Sequence, residues 1–346
     1  MRISDSNSNS TNNEITGIIN FLKPSGMTSH DAVSFLRRIS GIKRIGHTGS
    51  LDPMAVGVLP LCIGTATRIT EYLTADEKSY RCEMKLGLST DTQDIWGTVL
   101  SKAETGTVEL LTKEAILKAI DIFTGRQLQI PPAYSAVKIK GKKLYEYARA
   151  GENVTAKARE VNIKSIMVNH IDLATGLVLM DVDCSKGTYI RTLCNDIGDM
   201  LGCGAVMNAL VRTGSGYFKL EDAVTAEELE KADIEDVLIS TDVPLCGFES
   251  QNLPLEEAGK FINGLAVNLV NLAVNPAKSG ENFFRVYTHV VGGSTDERNG
   301  LQNVFLGIGQ LRDGFLKADK VLITDEMREI IYCPRERKHE TENDRI

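Results

Sequence analysis

The stretch from Arg44 to Pro60 contains glycines, two prolines and one carboxylate within an otherwise apolar run. The carboxylate is Asp52, a side chain type that can act as a nucleophile or as a general base. Asp52 precedes Pro53, which disfavours helical geometry at Asp52 and suits the first position of a helix. On these residues alone we favour a structural interpretation, in which Asp52 caps a short helix over residues 54–59. Capping is compatible with catalysis, because its hydrogen bonds would hold the carboxylate in one rotamer.

A cation that could pair with a carboxylate follows the strand predicted over residues 176–184. The sequence continues there as Ser-Lys-Gly-Thr-Tyr-Ile-Arg-Thr-Leu over residues 185–193. If the strand extends through this stretch, alternation places Tyr189 and Arg191 on the same face of the sheet. An arginine on a strand usually pairs with some carboxylate, whether or not that carboxylate is catalytic.

Two ring side chains could contact a nucleotide base. Tyr80 begins the alternating run over residues 78–86, which predicts a strand. Taken alone, Tyr80 is a strand residue that packs on a neighbour, although its ring could also stack on an unpaired base. His47 lies in the glycine-containing turn before Asp52, where a structural role is the default and an RNA contact is the alternative.

Residues 131–159 combine seven basic side chains with two acidic ones and three tyrosines. The basic residues and tyrosines are Lys138, Lys140, Lys142, Lys143, Arg149, Lys157, Arg159, Tyr134, Tyr145 and Tyr147. Basic side chains interleaved with aromatic rings are typical of a groove for single-stranded or folded RNA. The structural alternative is a soluble connection with a charged face.

The net charge of −7 argues at first against a nucleic-acid partner. Residues 1–220, however, contain 26 Lys and Arg against 22 Asp and Glu, a net of +4. The remaining residues 221–346 contain 13 against 24, a net of −11. Because phosphate binding depends on local basic surface, this distribution is compatible with an RNA partner.

The seven cysteines are scattered and include no Cys-x-x-Cys pair. Their odd number and spacing argue against a disulfide framework and a zinc site, and predict reduced thiols, several of them buried. No apolar run approaches the roughly 20 residues of a membrane span, and residues 1–13 are polar without an apolar signal core. We therefore predict a cytoplasmic protein without membrane contact.

Several motifs occur in an order that is more specific than any one of them. Gly-His-Thr-Gly-Ser-Leu-Asp-Pro over residues 46–53, followed by Gly-Val-Leu-Pro over 57–60, resembles the signature of the TruB family of bacterial tRNA pseudouridine synthases. Lys-Pro-Ser-Gly-Met-Thr-Ser over 23–29 and the stretch 185–193 match further elements of that family. The resemblance covers roughly residues 15–220 and extends more loosely to about 330. Two positions depart from the family pattern, since Leu22 replaces an aspartate and Val56 a threonine.

This resemblance implies that the protein isomerises uridine to pseudouridine at position 55 of tRNA, in the T loop, without a metal or cofactor. The base would be extruded from its stack, released by cleavage of the bond from C1′ to N1, and rejoined through C5. Asp52 corresponds to the catalytic nucleophile of the family, and Arg191 to the arginine that forms an ion pair with it. Whether Asp52 attacks the ribose or acts as a base stays open.

The resemblance also assigns RNA contacts. Four residues would hold the flipped nucleotide and fill the vacated space: His47, Tyr80, Tyr189 and Leu210. In the family the ring at Tyr80 stacks on the target base, the ring at Tyr189 packs beneath it, and the backbone at Leu210 contacts the uracil. Residues 131–159 correspond to an insertion that grips the T arm of tRNA. Further RNA contacts are predicted at basic residues, namely Lys23, Arg44, Lys138, Lys142 and Lys143.

The predicted fold is α+β, with a mixed, mainly antiparallel sheet flanked by helices, an RNA-gripping insertion and a small C-terminal β-rich domain. Helices are predicted after a cap at Thr28 or Ser29, over 112–123 and over 195–201. The predicted domains are a disordered N-terminus over 1–13, a catalytic domain over 14–245 that includes the insertion 131–159, a PUA-like RNA-binding domain over 247–332 and a polar tail over 335–346. Within the C-terminal domain we predict short strands at 253–255, 261–264, 305–310 and 321–322, and a loop or extra hairpin at 276–303.

Asp91 and Asp94 lie in a polar turn over residues 87–97 and could be mistaken for an acid–base pair. Threonine and aspartate at this spacing usually satisfy backbone groups within a turn, so we assign both a structural role.

Two alternatives to tRNA modification in the T loop stay open. A non-catalytic module that binds or folds tRNA would need only the basic insertion and the PUA-like domain, but it would not need Asp52 and Arg191 together. A pseudouridine synthase acting on another RNA would share every motif. In each case we expect a monomer.

Overall fold

The computed structural model describes residues 15–74, 77–152, 154–268, 282–291 and 301–332. The segments predicted to be disordered or polar tails, 1–13 and 335–346, lie outside these residues. Within the described ranges, no helix is both long and apolar enough to span a membrane.

The described residues form short helices and many strands. The helices are α1 Ser29–Ser40, α2 Thr70–Thr74, α3 Lys113–Asp121, α4 Leu144–Arg149, α5 Ile190–Leu201, α6 Ala226–Leu229, α7 Leu255–Ile262 and α8 Asp325–Tyr332. The strands are β1 Gly17–Lys23, β2 Ile45–His47, β3 Val56–Ile63, β4 Lys78–Leu86, β5 Leu88–Thr90, β6 Val99–Lys102, β7 Gly125–Gln129, β8 Lys138–Ile139, β9 Lys142–Lys143, β10 Arg159–Asp172, β11 Leu177–Cys184, β12 Ala205–Ser215, β13 Phe218–Lys219, β14 Glu249–Leu253, β15 Val267–Asn268, β16 Phe283–Val291, β17 Leu301–Arg312 and β18 Phe315–Val321.

In the described part of the chain, nine strands form one sheet in the order β1-β3-β12-β4-β11-β10-β7, with β2 paired to β3 and β13 to β12. Its pairs are antiparallel except for β3 and β12, which run parallel. Helices α3 and α5 bury Ile116 and Leu193 against the middle of this sheet, and α1 buries Leu36 against β1 and β3. The prediction of a mixed, mainly antiparallel sheet flanked by helices is confirmed.

The side chain of Thr28 begins α1 as predicted. Its hydroxyl accepts a hydrogen bond from the backbone N–H of Asp31, and the Asp31 carboxylate accepts one from the backbone N–H of Thr28. This reciprocal capping box satisfies two of the donors that a helix start leaves unpaired.

The short helix predicted over residues 54–59 is wrong. The carbonyl of Asp52 accepts a hydrogen bond from Ala55 at 3.1 Å, which closes a turn, and β3 begins at Val56. Residues 57–63 are buried, and a continuous apolar run of this kind is typical of a strand covered on both faces. Burial in the sheet therefore outweighs the local preference for a capped helix.

The strand predicted to place Tyr189 and Arg191 on one face is also wrong. Strand β11 ends at Cys184, and α5 begins at Ile190, so Arg191 lies in the first turn of a helix. The helix predicted from residue 195 starts five residues earlier, because Ile190 and Leu193 already face the core at helical spacing.

A second sheet of the described residues has the order β14-β16-β17-β18-β15 and confirms the predicted C-terminal β-rich domain. The strand predicted at 261–264 is wrong, since residues 255–262 form α7 and bury Phe261 and Ile262 against the sheet. Strands β16 and β17 pair antiparallel and include parts of the segment 276–303, whose residues 276–281 and 292–300 lie outside the described ranges.

The two sheets are joined by apolar packing and by polar contacts. Ile18 of the first sheet packs in one cluster with Ile308 of the second sheet and with Leu322, which directly follows β18. The guanidinium Nη1 of Arg68 donates to the carbonyl of Val321 at 2.6 Å. The β-rich domain is therefore held against the first sheet by both kinds of interaction.

Six of the seven cysteines lie in the described residues, and all six are free thiols. Five are buried and Cys246 is exposed. Burial raises the pKa of the Cys62 and Cys184 thiols to about 12, so both are protonated at neutral pH. For these residues the prediction of reduced, mostly buried thiols is confirmed, whereas Cys333 lies outside the described ranges.

Candidate active site

Asp52 and Arg191 are in direct contact. The Nη2 atom of Arg191 donates to Oδ1 of Asp52 at 3.1 Å, and Nε lies 2.8 Å from Oδ2. The N–H bond at Nε is not aligned with Oδ2, so this second approach is a charge contact rather than a hydrogen bond. The Arg191 side chain is 5% exposed and that of Asp52 is 39% exposed. The carboxylate is thus open to a ligand, while the cation behind it is buried.

Further bonds of the Arg191 guanidinium join three segments of the chain. Nη1 donates to the carbonyl of Thr92 at 2.9 Å, and Nη2 also donates to the carbonyl of Tyr134 at 3.0 Å. Thr92 belongs to the polar turn over 87–97, and Tyr134 to the segment 131–159. One planar group therefore fixes the Asp52 loop, this turn and the start of the basic segment relative to one another.

The turn carboxylates bond within the turn, as the sequence predicts. Asp91 Oδ1 accepts from the backbone of Thr98 at 2.7 Å, and Asp94 Oδ1 accepts from the hydroxyl of Thr92 at 2.6 Å. Asp94 has a second contact that the sequence did not reveal, because its Oδ2 lies 3.8 Å from Nη1 of Arg191. Across the described ranges, no three His, Cys, Asp or Glu side chains are grouped to hold a metal ion.

His47 is half-buried at the end of β2, five residues before Asp52. Its Nδ1 accepts a hydrogen bond from the backbone N–H of Gly49 at 3.2 Å, which assigns the proton of the neutral ring to Nε2. Burial, together with the nearby Arg212 and His30, lowers the pKa of His47, so its ring is neutral near pH 7.

Tyr80 and Leu210 lie beside the Asp52 loop. Both are buried and belong to one apolar cluster with Leu51 and Ala55, which flank Asp52 in the chain. Tyr80 is on β4 and Leu210 on the neighbouring β12. Burial raises the pKa of the Tyr80 hydroxyl, so the ring is neutral at physiological pH.

Tyr189 is half-buried and stands directly before α5, two residues from Arg191. The side-chain amide of Gln129 accepts from its backbone N–H at 2.7 Å and donates to its carbonyl at 3.0 Å. These two bonds fix the backbone at the start of the helix that carries Arg191.

The RNA contact predicted for the Lys23 side chain is wrong. Lys23 is fully buried, and its ammonium donates to the carbonyls of Pro24, Met27 and Pro53 at 2.8, 2.7 and 3.0 Å. Burial lowers its pKa to about 8, although the nearby Asp52 charge opposes this shift. Because all three protons of the ammonium are donated to backbone carbonyls, Lys23 stabilises the Asp52 loop.

Arg44, by contrast, is exposed, and its Nε donates to the hydroxyl of Thr67 at 2.7 Å.

The basic segment contains the hairpin β8–β9 followed by α4. Lys138 and Lys142 are exposed, whereas Lys143 is half-buried. The ammonium of Lys142 lies 5.5 Å from the ring centroid of Tyr147, and that of Lys143 lies 5.4 Å from the ring of Tyr145. The segment's own cations thus lie over these two tyrosine rings, through cation–π contacts.

Arg212 is a residue near the site that the sequence did not single out. It is 1% exposed on β12, and its guanidinium donates to three backbone carbonyls around the Asp52 loop. The available signal is a charged residue within the otherwise apolar alternation of residues 205–215. That pattern alone does not reveal which groups the charge contacts.

Comparison with known proteins assigns the chain to a family. Residues 37–190 match the N-terminal domain model of TruB family pseudouridylate synthases, and residues 191–241 match the C-terminal domain model of tRNA pseudouridylate synthase B. The chain belongs to the TruB family of pseudouridylate synthases, and the enzyme class expected from the sequence is confirmed.

Curated relatives match most of this chain. The tRNA pseudouridine synthase B of Clostridioides difficile is 41% identical over 316 residues, covering 88% of this chain and 99% of the relative. That of Alkaliphilus oremlandii is 50% identical over 232 residues, covering 67% and 76%. Among solved structures, a Cbf5-Nop10-Gar1 complex matches with a TM-score of 0.63 and 24% identity, covering 90% of this chain and 86% of that chain. An H/ACA RNP bound to a substrate RNA containing 2′-deoxyuridine matches with a TM-score of 0.63 and 21% identity, covering 89% and 85%. At this identity the structural matches support the fold alone.

Proposed function

We propose that this protein converts uridine to pseudouridine at position 55 of tRNA, in the T loop. This proposal rests mainly on the contact between Asp52 and Arg191, in which a buried guanidinium binds an accessible carboxylate. Relatives named tRNA pseudouridine synthase B, aligned over nearly their full length, support tRNA as the substrate.

The reaction is an isomerisation, so every atom of the uridine is retained. The bond from C1′ to N1 breaks, the base turns, and a new bond forms from C1′ to C5. The proton on C5 leaves, and N1 ends with a proton, so no oxidant or reductant is required. Asp52 acts either as a nucleophile at the ribose or as a base, because its carboxylate is accessible from solvent and oriented by Arg191.

The target uridine must leave its stack before it can reach Asp52. We assign the flipped base to a pocket formed around the Asp52 loop by four side chains, His47, Tyr80, Tyr189 and Leu210. Tyr80 and Leu210 pack in the same cluster as Leu51 and Ala55, which supports a compact pocket wall. A neutral Tyr80 ring suits stacking on an uncharged uracil.

RNA binding is assigned to the basic segment and the surface around the site. The exposed Lys138 and Lys142, with Lys143 and Arg44, supply positive charge for the phosphates of the T arm. We propose that residues 14–245 carry the reaction and that the β-rich residues 247–332 form a PUA-like RNA-binding domain.

The test is to incubate the protein with an unmodified tRNA transcript and map pseudouridine at each position, with Asp52→Asn and Asp181→Asn beside the wild type. Asp181 is a matched control, since it accepts two hydrogen bonds from Arg81, at 2.7 and 2.8 Å. Arg81 directly follows Tyr80 on β4, so this pair lies on the opposite face of the sheet from Tyr80. We expect product at the T-loop uridine with the wild type and Asp181→Asn, and none with Asp52→Asn.

Other outcomes point to the alternatives. Product only in a different RNA would identify a synthase with another substrate. Tight tRNA binding without product from any of the three proteins would contradict the enzymatic proposal and leave a binding or folding module.

A further inference from the structure

Arg212 is the largest fully buried side chain among the residues that the structure describes. It lies on β12 where this strand meets β3 in parallel, opposite Gly57. A Cβ added at Gly57 would lie 2.2 Å from the carbonyl oxygen of Arg212, so the two backbones are in close contact. The guanidinium is therefore enclosed beneath the loop that carries Asp52.

The guanidinium is satisfied mainly by backbone carbonyls. Nε donates to Val58 at 2.6 Å, Nη1 to Ser50 at 3.3 Å and Nη2 to Gly49 at 3.3 Å. Within the described ranges, no carboxylate lies at ion-pair distance from it. A buried cation without a counter-ion is costly, so a neutral apolar residue would suit a purely structural position in a strand better.

Two of the three carbonyls that Arg212 holds belong to Gly49 and Ser50, just before Asp52. Gly49 has a φ of +137°, a conformation that favours glycine, and its carbonyl is directed to the guanidinium. The hydroxyl of Ser29 fixes Leu51, the residue directly before Asp52, because it donates to the carbonyl of Leu51 and accepts from the N–H of Leu51. The loop is thus held residue by residue up to Asp52, whose carboxylate then meets Arg191.

The charge of Arg212 also acts on the ring residues of the site. Arg212 pairs across the sheet with Tyr80, and its charge lowers the pKa of the Tyr80 hydroxyl against the larger effect of burial. It also contributes, after burial, to the lowered pKa of His47. One buried cation therefore influences the backbone before Asp52 and two side chains that we assign to the base pocket.

We propose that Arg212 is a positioning residue for pseudouridine formation: its guanidinium fork fixes the Gly49 and Ser50 carbonyls and thereby the placement of the Asp52 carboxylate against the target ribose. This proposal rests on the proposed function, in which Asp52 carries the reaction. Arg212 does not touch substrate, because its side chain is enclosed. Its replacement should lower the rate of the chemical step and leave tRNA affinity unchanged.

The test compares Arg212→Lys and Arg212→Met with a control, Val206→Ala, which creates a cavity on the same strand away from the loop. Single-turnover rates at saturating enzyme, tRNA dissociation constants and thermal midpoints are measured for each variant. Lysine keeps the charge but lacks the fork, so we expect a rate about tenfold lower than wild type. Methionine removes both, so we expect a rate about 100-fold lower. Dissociation constants should stay within about twofold of wild type.

A second readout separates positioning by a charged group from a loss of stability. The titration of His47, followed by NMR with labelled histidine and assigned with His47→Asn, should move to higher pH in Arg212→Met and stay in place in Arg212→Lys. The other titratable group near this ring is His30, which both variants retain. Val206→Ala should leave the titration of His47 unchanged, however much it lowers the thermal midpoint.

A wild-type rate in Arg212→Lys would overturn the proposal, as would a rate loss matched by Val206→Ala at an equal drop in thermal midpoint. If Arg212→Met does not fold, Arg212→Lys decides the question. Asp52→Asn is assayed in parallel: activity in Asp52→Asn contradicts the proposed function itself, whereas an inactive Asp52→Asn beside fully active Arg212 variants contradicts only the role of Arg212.

Discussion

The Nη2 atom of Arg191 lies 3.1 Å from Oδ1 of Asp52, although 139 residues separate the two in the chain. Asp52 is in the loop between β2 and β3, and Arg191 is in the first turn of α5. The same guanidinium donates to the carbonyls of Thr92 and Tyr134. The ion pair is therefore also the point at which the Asp52 loop, the turn over 87–97 and the segment 131–159 meet.

We expect Arg191→Lys to lower the single-turnover rate by about 100-fold or more. A lysine ammonium keeps the charge but cannot make the planar set of contacts to Asp52, Thr92 and Tyr134. The rate is measured at saturating enzyme with an unmodified tRNA transcript, together with the dissociation constant.

Arg81→Lys is the matched control, because Arg81 forms a two-point contact with Asp181 but is largely exposed. Because this ion pair is exposed and does not include Asp52, the variant should retain the wild-type rate. Equal losses in the two variants would show that the geometry at Arg191 has no special importance.

Asp94→Asn should lower the rate about tenfold, while Asp91→Asn should leave it within about threefold of wild type. Both variants keep an oxygen acceptor for the bonds within the turn. Only Asp94 faces Arg191, at 3.8 Å, so only its replacement removes a charge from the guanidinium. Single-turnover kinetics on both variants test this difference. Similar rates would mean that Asp94 acts only through its hydrogen bonds within the turn and not through its contact with Arg191.

The residues of the site could be predicted from the order of motifs, but their geometry could not. Arg191 contacts Asp52 as the resemblance predicts, and Tyr80 and Leu210 pack in one cluster with residues of the Asp52 loop. The roles of these residues toward RNA stay predictions. The local structure at Asp52 and Arg191 was predicted wrongly, because each prediction extended a local pattern that burial in the sheet or a helix start overrides.

Two buried cations mark the limit of prediction from the sequence. Charged residues are mostly exposed. The sequence analysis therefore predicts an RNA contact for Lys23, and it does not single out Arg212. Both instead donate to backbone carbonyls around the Asp52 loop. Such contacts depend on long-range strand pairing, which a single sequence does not specify.

Gly57→Ala should destabilise the protein by about 3 kcal/mol or more. Its φ of +117° is strained for alanine, and the new Cβ would lie 2.2 Å from the carbonyl oxygen of Arg212, a backbone atom that cannot move aside cheaply. Gly26→Ala is the control, since it has a φ of +82° but no atom within 4 Å of the added Cβ. Urea unfolding should give a loss of about 1 kcal/mol for the control. Equal losses would mean that the close approach to Arg212 is unimportant.

Replacing Lys138 and Lys142 together by glutamine should weaken tRNA binding uniformly and leave the single-turnover rate at saturation unchanged. Both side chains are exposed on the β8–β9 hairpin, where they can contact phosphates but not the reacting base. The slope of log affinity against log salt should fall by roughly 1 for each lost phosphate contact. Lys118→Gln, on the exposed surface of α3, should leave the slope unchanged. An unaltered slope in the double variant would show that the β8–β9 hairpin is not part of the RNA-binding surface.

The stability of the protein should depend on pH through Lys23. Burial lowers the pKa of Lys23 to about 8 in the folded state, against the ordinary value of 10.5 in the unfolded chain. Between these values the unfolded chain binds more protons than the folded one, so the free energy of unfolding rises with pH by up to about 1.4 kcal/mol per unit. Below about pH 8 the full cost of burying the charge is present.

Lys23→Met removes this titration, so the difference in free energy of unfolding between wild type and variant should grow in favour of the wild type from about pH 8 to 10.5. Urea unfolding at several pH values across this window measures that difference, in which all shared titrations cancel. A flat difference for Lys23→Met would mean that the buried ammonium keeps its ordinary proton affinity, and that the carbonyls of Pro24, Met27 and Pro53 fully compensate for its loss of hydration.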